Sequence, residues 1–397
     1  MLLRLSTGRL KTLAAKTRPL RAVLAAGSAV AAVMCVSAAH ADPLAMPAMG
    51  PTLSANPSPT TVDTGPLGTV YVTGAVSGLA YAQNHEASSD MGARGDVSNA
   101  QVFLQTTEGP VQFFVQVGAY SIPTVGVPYG KSSDITQDTY GVVPQAYVKI
   151  APADNLSIMA GKLPTLIGSE YTFTFQNMNI QRGMLWNQEN AVNRGVQVNY
   201  STGKLSASFS VNDGFYSNKY SWVSGLVSYA FDASNVLTLA GGGNTSHSGR
   251  AGTATPLAQN NSEIYNVIYT YTNGPLTVSP YFQYSTIHDE PGLGLKGAKT
   301  YGYALLGKYG FTENFSLAGR AEYIDSTGDA DAANLVYGPG SNAWSLTLTP
   351  TFQFGRAFVR GELSYVKVDK TGPGFAFGSN GDERSQTRAL IETGILF

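Results

Sequence analysis

Charged residues of opposite sign recur at short, even spacings in several apolar stretches of this sequence. Arg320 and Glu322 form one such pair, and Arg360 and Glu362 form another. Side chains two residues apart point to the same face of a β-strand, so each pair shares a face. Three more charged residues fall on polar faces of the same kind: Lys149, Arg388 and Glu392. The pattern predicts strands with a charged face and an apolar face.

A second charged group lies in and beside a long polar segment, residues 163–193. It comprises Glu170, Arg182 and Glu189 within the segment, and Lys162 and Arg194 at its edges. Opposite charges that face each other across a narrow passage order water and orient polar solutes. We therefore treat these five residues as candidates for a pore constriction. The alternative is that they are the solvated charges of an external loop.

The sequence gives little support for covalent or metal chemistry. Beyond residue 41 the histidines are His85, His247 and His288, and none lies in a nucleophile motif. Two acidic clusters, residues 288–290 and Asp325 with Asp329 and Asp331, lack the spacing of a calcium-binding loop. We predict no catalytic residues, no metal site and no cofactor.

The polar faces belong to strands with a regular period of two. In residues 344–354, Leu346, Leu348 and Phe352 alternate with Ser, Thr and Gln, and the pattern resumes after a three-residue break. From Gly68 onward this period continues almost everywhere, and a ten-residue amphipathic helix is hard to find. Pro280 and Pro350 interrupt two predicted strands, where we expect local bulges near the periplasmic rim.

Short and long connections between these strands alternate along the chain. Seven short ones contain the Gly, Asn, Asp or Pro of tight turns: 107–110, 151–155, 201–204, 231–235, 272–275, 311–314 and 354–356. Eight longer polar segments lie between them: 84–96, 121–142, 163–193, 213–220, 244–261, 287–298, 326–341 and 368–386.

This alternation predicts an all-β fold, a closed antiparallel transmembrane β-barrel of about 16 strands with short periplasmic turns and longer extracellular loops. A count of 14 or 18 stays open if residues 163–193 contain a hairpin around residues 171–175. The apolar face then contacts lipid, and the charged face lines a lumen. A charged side chain that faces lipid would destabilise the barrel. The charged residues named above fall on the polar face instead, as this cost requires.

The first 66 residues differ from the rest. Residues 1–41 contain a basic region, an apolar run and the sequence Ala39-His40-Ala41, which predicts a cleaved secretory signal peptide rather than a membrane anchor. Residues 42–66 contain six prolines and predict a flexible periplasmic leader. The barrel would occupy residues 67–397.

Removal of the predicted signal peptide changes the charge balance and the cysteine content. Of the 25 Lys and Arg residues, six precede residue 42, which leaves 19 against 26 Asp and Glu. The resulting charge of about −7 disfavours a nucleic-acid partner. Cys35, the single cysteine of the chain, also lies in residues 1–41.

The chain resembles the putative beta-barrel porin-2 family of Gram-negative bacteria, also described as OmpL-like. The resemblance covers most of residues 68–397 and rests on residues 161–171, 179–215, 309–324 and 343–366. It implies an outer-membrane barrel and supplies no substrate. The final strand, with Ile391, Ile395 and the terminal Phe397, is similar to the signal that the outer-membrane assembly machinery recognises.

These observations predict an outer-membrane porin through which small hydrophilic solutes diffuse passively. The expected partners are outer-membrane lipid and lipopolysaccharide, the assembly machinery and the solutes themselves. Mixed wall charges predict no strong ion selectivity, although the net charge favours cations weakly. An alternative is a barrel that acts through its extracellular loops in adhesion or surface binding. The oligomeric state stays open, because a lipid-facing strand and a subunit interface have similar compositions.

Overall fold

A computed structural model of the protein describes residues 50–65, 68–328 and 337–397. The predicted signal peptide, residues 1–41, lies outside these ranges, as do residues 42–49. Strands make up most of the described chain, and among the described residues no helix is long and apolar enough to cross a membrane.

Sixteen strands form a closed antiparallel barrel. Each pairs with its neighbour in the chain, and the last strand pairs with the first strand of the barrel. The strands are β2 Thr69–Gln83, β3 Ala93–Gln105, β4 Val111–Tyr120, β5 Gln145–Ala153, β6 Leu156–Pro164, β7 Val192–Thr202, β8 Leu205–Asn212, β9 Trp222–Ala230, β10 Asn235–Asn244, β11 Ser262–Asn273, β12 Leu276–Ile287, β13 Ala298–Gly310, β14 Phe315–Ser326, β15 Asn342–Phe354, β16 Ala357–Lys370 and β17 Ser385–Leu396. The predicted strand number is confirmed.

Helical elements are short and lie in the loops or precede a strand. In the described part of the chain they are α1 Ser132–Asp138, α2 Leu257–Asn260 and three 3₁₀ helices, Thr174–Gln176, Leu185–Gln188 and Pro291–Leu293. The seven short turns join strands at one end of the barrel, where β2 begins and β17 ends. The eight longer connections lie at the other end, as the sequence predicted.

The two faces of the strands have opposite environments. Leu348 is 55 % exposed on the outer surface, whereas its neighbours Thr347 and Thr349 are buried in the interior. Leu346 and Leu363 are exposed on the outer surface like Leu348, and Arg360 and Glu362 are buried in the interior like the two threonines. The apolar outer surface is therefore the lipid face, and the charged parity faces inward.

The two prolines do not produce the expected bulges. Pro280 keeps its register with Leu305, and on its other side the ladder to β11 resumes in unchanged register at Tyr271 and Val278. The ladder from β15 to β16 likewise skips Pro350 and keeps its register. A proline lacks one N–H donor, so the ladder opens locally without the insertion of an extra residue. The expectation of bulges at these positions was wrong.

A further short strand, β1 Thr60–Asp63, lies within the segment expected to be a flexible leader. It pairs antiparallel with Thr69–Val72 of β2, below the point where β17 ends. Phe397 and Gly74 exchange two backbone hydrogen bonds there, of 2.8 and 3.0 Å. β1 thus continues the ladder beyond the C-terminus, at the end of the barrel that carries the short turns.

We predict that Leu348→Lys destabilises the barrel by about 2–4 kcal/mol, because it places a charge near the middle of the lipid face. Val111→Lys, an equally exposed position at the start of β4, should cost only about 0–1 kcal/mol. Urea unfolding of both variants in lipid vesicles measures the difference. Equal losses would contradict the assignment of the outer face to lipid.

Candidate pore constriction

The long connection between β6 and β7, residues 165–191, turns into the barrel, and we call it the inward loop. All of its residues are buried except Ser169, Tyr171 and Met178. A hairpin does not form around residues 171–175, where a 3₁₀ helix, Thr174–Gln176, occurs instead. The loop therefore adds no strands to the barrel.

Aromatic side chains anchor one end of the inward loop. The ring of Phe175 lies 5.7 Å from that of Phe103 on β3, and Phe173 packs edge-on against Tyr120 at 5.1 Å. Phe103 in turn stacks near Phe114 of β4. Phe103 is thus an apolar residue on the inner face that contacts an aromatic side chain of the loop, and Phe114 packs beside it against Tyr147 of β5.

Wall carboxylates accept hydrogen bonds from the backbone of the inward loop. Glu362 accepts from the N–H groups of Ile180 and Gln181, the latter at 3.0 Å. Glu322 accepts from the N–H of Leu185 at 3.2 Å. A third carboxylate, that of Glu392, accepts from the hydroxyl of Thr174 at 2.6 Å.

Wall arginines donate to carbonyl oxygens of the same loop. Arg320 donates to the carbonyl of Gln181 at 2.8 Å, and Arg360 donates to those of Thr174 and Asn177 at 2.9 and 3.0 Å. Arg388 reaches the side-chain oxygen of Gln181 at 2.8 Å. Together with Glu322, Glu362 and Glu392, these arginines form what we call the charge network.

Ion pairs connect four of the six members of the charge network. Arg320 pairs with Glu322 at 3.1 Å and with Glu170 of the loop at 2.5 Å. Arg360 pairs with Glu392, with Nε at 3.1 Å from the carboxylate. All six wall residues are buried. Their side chains face the interior, where they contact the loop rather than an open lumen.

The seventh predicted wall residue, Lys149, lies away from this network. It is on the inner parity of β5, in register with Gln112 of β4 and Met159 of β6. Its wall neighbours are therefore uncharged.

The five constriction candidates separate into two places. Glu170, Arg182 and Glu189 are buried in the inward loop. Glu170 accepts from the N–H of Gly183 at 2.8 Å in addition to its pair with Arg320. Glu189 accepts a hydrogen bond from the hydroxyl of Tyr281 on β12.

Arg182 stabilises the loop backbone rather than a facing acid. It donates to the carbonyls of Thr172, at 2.8 Å, and Ile180. Burial lowers the pKa of its guanidinium to about 10, so the group stays charged at neutral pH. Its backbone also pairs with the loop between β4 and β5, through bonds of 2.9 Å to Pro123 and Val125.

Lys162 and Arg194 lie in neighbouring positions on β6 and β7. Arg194 pairs with Asp213 at 2.7 Å and stacks over the ring of Tyr216 at 3.9 Å. Lys162 donates to the carbonyls of Tyr140 and Val143 at 3.2 and 2.8 Å. These two cations thus belong to a separate cluster.

Several residues that complete these contacts were not among the candidates predicted from the sequence. Asp213, Asp90 and Tyr281 each bind a charged candidate, and Gln181 bridges Glu362 and Arg388. Asp213 and Asp90 lie in loops, whereas their partners Arg194 and Arg388 lie on β7 and β17, so the alternation along one strand does not connect them.

A cavity of about 310 Å³ remains between the inward loop and the wall of β10–β13. The three partly exposed loop residues, Ser169, Tyr171 and Met178, all line it. The wall contributes four hydroxyl side chains on β11 and β12, which are Thr270, Thr272, Thr277 and Ser279, and also the apolar side chains of Val236, Ile268 and Leu306. The hydroxyl groups give the cavity polar partners for water and small polar molecules.

Within residues 50–65, 68–328 and 337–397, no three His, Cys, Asp or Glu side chains come together as a metal site requires. Asp329 and Asp331 of the second acidic cluster lie outside these ranges. In the first cluster, Glu290 contacts His247 at 2.9 Å.

Residues 69–397 match the family described as putative beta-barrel porin-2, OmpL-like. The chain belongs to this family. It is a porin of the outer membrane, a passive channel, and both the predicted family and the predicted location are confirmed. None of the curated protein sequences matches this porin.

Two solved structures show the similarity of fold. Outer-membrane expressed OmpT of Vibrio cholerae is 12% identical with a TM-score of 0.57, and the match covers 85% of this porin and 100% of OmpT. The outer membrane channel DcaP of Acinetobacter baumannii is also 12% identical with a TM-score of 0.57, over 83% of this porin and 97% of DcaP.

We predict that Arg360→Met destabilises the porin by about 3–5 kcal/mol, because Glu392 is left buried without its cation. Lys367→Met is the matched control. Lys367 pairs with Asp369 at 3.3 Å on the same strand but at an exposed site, and its loss should cost less than about 1 kcal/mol. Urea titration in vesicles provides both values. A small loss for Arg360→Met would show that the charge network contributes little to stability.

Proposed function

We propose that small hydrophilic solutes cross this porin through the cavity beside the inward loop, and that the loop forms the constriction. The observation that supports this path is the distribution of exposure in the loop. The residues that retain exposure line the cavity, whereas the opposite side of the loop is bound to the charge network. Solutes therefore pass on the β10–β13 side.

The chemistry of the lining favours polar solutes without a strong charge preference. Hydroxyl groups of Thr270, Thr277 and Ser279 donate and accept hydrogen bonds, and can replace part of a solute's hydration. Glu170 borders the cavity, but its carboxylate is bound to Arg320. An ion pair has a weaker field at a distance than an isolated charge, so we expect little discrimination between small cations and anions.

Single-channel conductance in a planar bilayer tests the path. We expect Ser279→Trp to lower the conductance by about half or more, because the indole would occupy the cavity and narrow the passage. Val278→Trp is the control, since the adjacent side chain points to the lipid. A conducting channel in which Ser279→Trp has no effect would contradict the path. A folded barrel without conductance would contradict the porin function itself.

We also propose that the C-terminal strand acts as the assembly signal, through Ile391, Ile395 and Phe397, and that the machinery binds it before the barrel closes. Ile391 and Ile395 lie on the lipid face of β17. The outer surface then contacts membrane lipid and, in the outer leaflet, lipopolysaccharide.

Deletion of Phe397 tests the assembly signal. We expect less porin in the outer membrane of cells, while the variant still refolds in detergent, because the deletion removes only the two backbone hydrogen bonds to Gly74 and leaves the rest of the pairing between β17 and β2 in place. Heat-modifiable migration in gels measures folding in both settings. Equal losses in cells and in detergent would instead indicate a structural role for Phe397.

A further inference from the structure

Residues 50–58 lie across the end of the barrel that carries the short turns, and we call them the plug segment. They precede β1, which pairs with the start of β2 at this end. The segment contacts both the inward loop and the opposite wall, at three successive places along its length.

The first contact is with the inward loop. The N–H of Gly50 donates to the carbonyl of Gln176 at 2.5 Å, and the hydroxyl of Thr52 lies 3.4 Å from the carbonyl of Met178. A Cβ at Gly50 would lie 2.8 Å from the Gln176 oxygen, so this approach favours glycine.

The second contact is apolar. Leu53 is only 4 % exposed and belongs to the interior cluster that contains Phe103, Phe175 and Phe358. Burying a leucine side chain contributes roughly 1.5–3 kcal/mol relative to leaving it in water. Neighbouring Ala55 is exposed, so the segment has a buried side and a solvent side.

The third contact is with the wall near the turn between β15 and β16. The side-chain amide of Gln353 binds the backbone of Ser54 twice, as acceptor at 2.8 Å and as donor at 2.9 Å. Such a paired contact imitates one step of a β-ladder and fixes the position of the segment. Arg356 reaches the carbonyl of Ser58 at 3.5 Å.

The prolines in and beside the plug segment lower the conformational entropy that is lost when the segment becomes ordered. Pro51 and Pro57 lie within it, and Pro59 follows it. Proline restricts the unfolded chain, so less entropy is lost when the segment takes one conformation.

We propose that the plug segment is a second, periplasmic narrowing of the pore, which limits the size of solutes together with the inward loop. Gly50 and Pro51 line the same 310 Å³ cavity as the exposed residues of the loop. The cavity that we assign to solutes is thus bounded by the N-terminal segment as well as by the loop. This inference rests on the proposed solute path.

Thiol labelling tests whether the plug segment is bound in the end of the barrel, with residue 53 buried. The chain from residue 42 onward contains no cysteine, so Leu53→Cys and Ala55→Cys each introduce a single thiol. We expect a maleimide to react with the thiol at position 55 much faster than at position 53 in the refolded porin, and equally fast in urea. Equal rates in the folded porin would overturn the proposal.

Single-channel conductance tests whether the bound plug segment narrows the pore. Deletion of residues 50–58 should raise the single-channel conductance about twofold and admit larger neutral solutes, because conductance follows the narrowest section. Gln353→Ala should give a smaller increase, whereas Gln197→Ala, a buried glutamine on β7, should give none. If the deletion variant does not fold, Leu53→Asp takes its place.

The outcomes separate the two proposals. Protection at position 53 with unchanged conductance after deletion would overturn the narrowing and leave the porin function intact. If neither the full-length porin nor the deletion variant conducts, both the narrowing and the proposed solute path are overturned. A larger conductance after deletion, with position 53 protected, supports the plug segment.

Discussion

The hydrogen bonds between the wall charges and the backbone of the inward loop determine the interior of this porin. The loop runs 27 residues inside the barrel with only short 3₁₀ helices, so most of its N–H and C=O groups lack partners within a regular element. Buried backbone groups without partners are costly. Glutamates accept from the N–H groups and arginines donate to the carbonyls, so the charged wall takes the place of water around the loop. The ion pairs among these residues offset the cost of burying them.

The charges therefore have a different role from the one that their position on the inner face indicates. The alternation of short and long connections was enough to predict the barrel and its strand number, and the period of two along the strands assigned Arg320, Arg360 and Glu362 to the polar face. It could not show whether these side chains contact water, because the same parity fits an open lumen and a surface covered by a loop. Their partners are mostly backbone atoms, which leave no pattern in a sequence. The contact of Phe103 with Phe175 depends in the same way on a distant segment.

Residues that are close in sequence do not always form one site, because contacts between distant segments determine which side chains meet. Lys162 and Arg194 flank the inward loop, yet they belong to a cluster around Tyr216 that includes Asp213. The segment before β1 likewise has no periodicity from which its contacts could be predicted, since Gln353 binds its backbone rather than a side chain. The prolines show a related limit. A missing donor predicts a lost ladder bond, but the register on either side of Pro280 and Pro350 is unchanged.

The pairing of β17 with β2 has a consequence for the order of events during folding. The inward loop comes from the first half of the chain, but its network partners lie on β14, β16 and β17, which are synthesised last. The loop cannot be fixed until those strands arrive. The plug segment depends on the same strands, because it binds Gln353 of β15 and packs Leu53 into the cluster that contains Phe358 of β16. Two segments from the first half of the chain therefore take their final positions only after the C-terminal strands have joined the barrel.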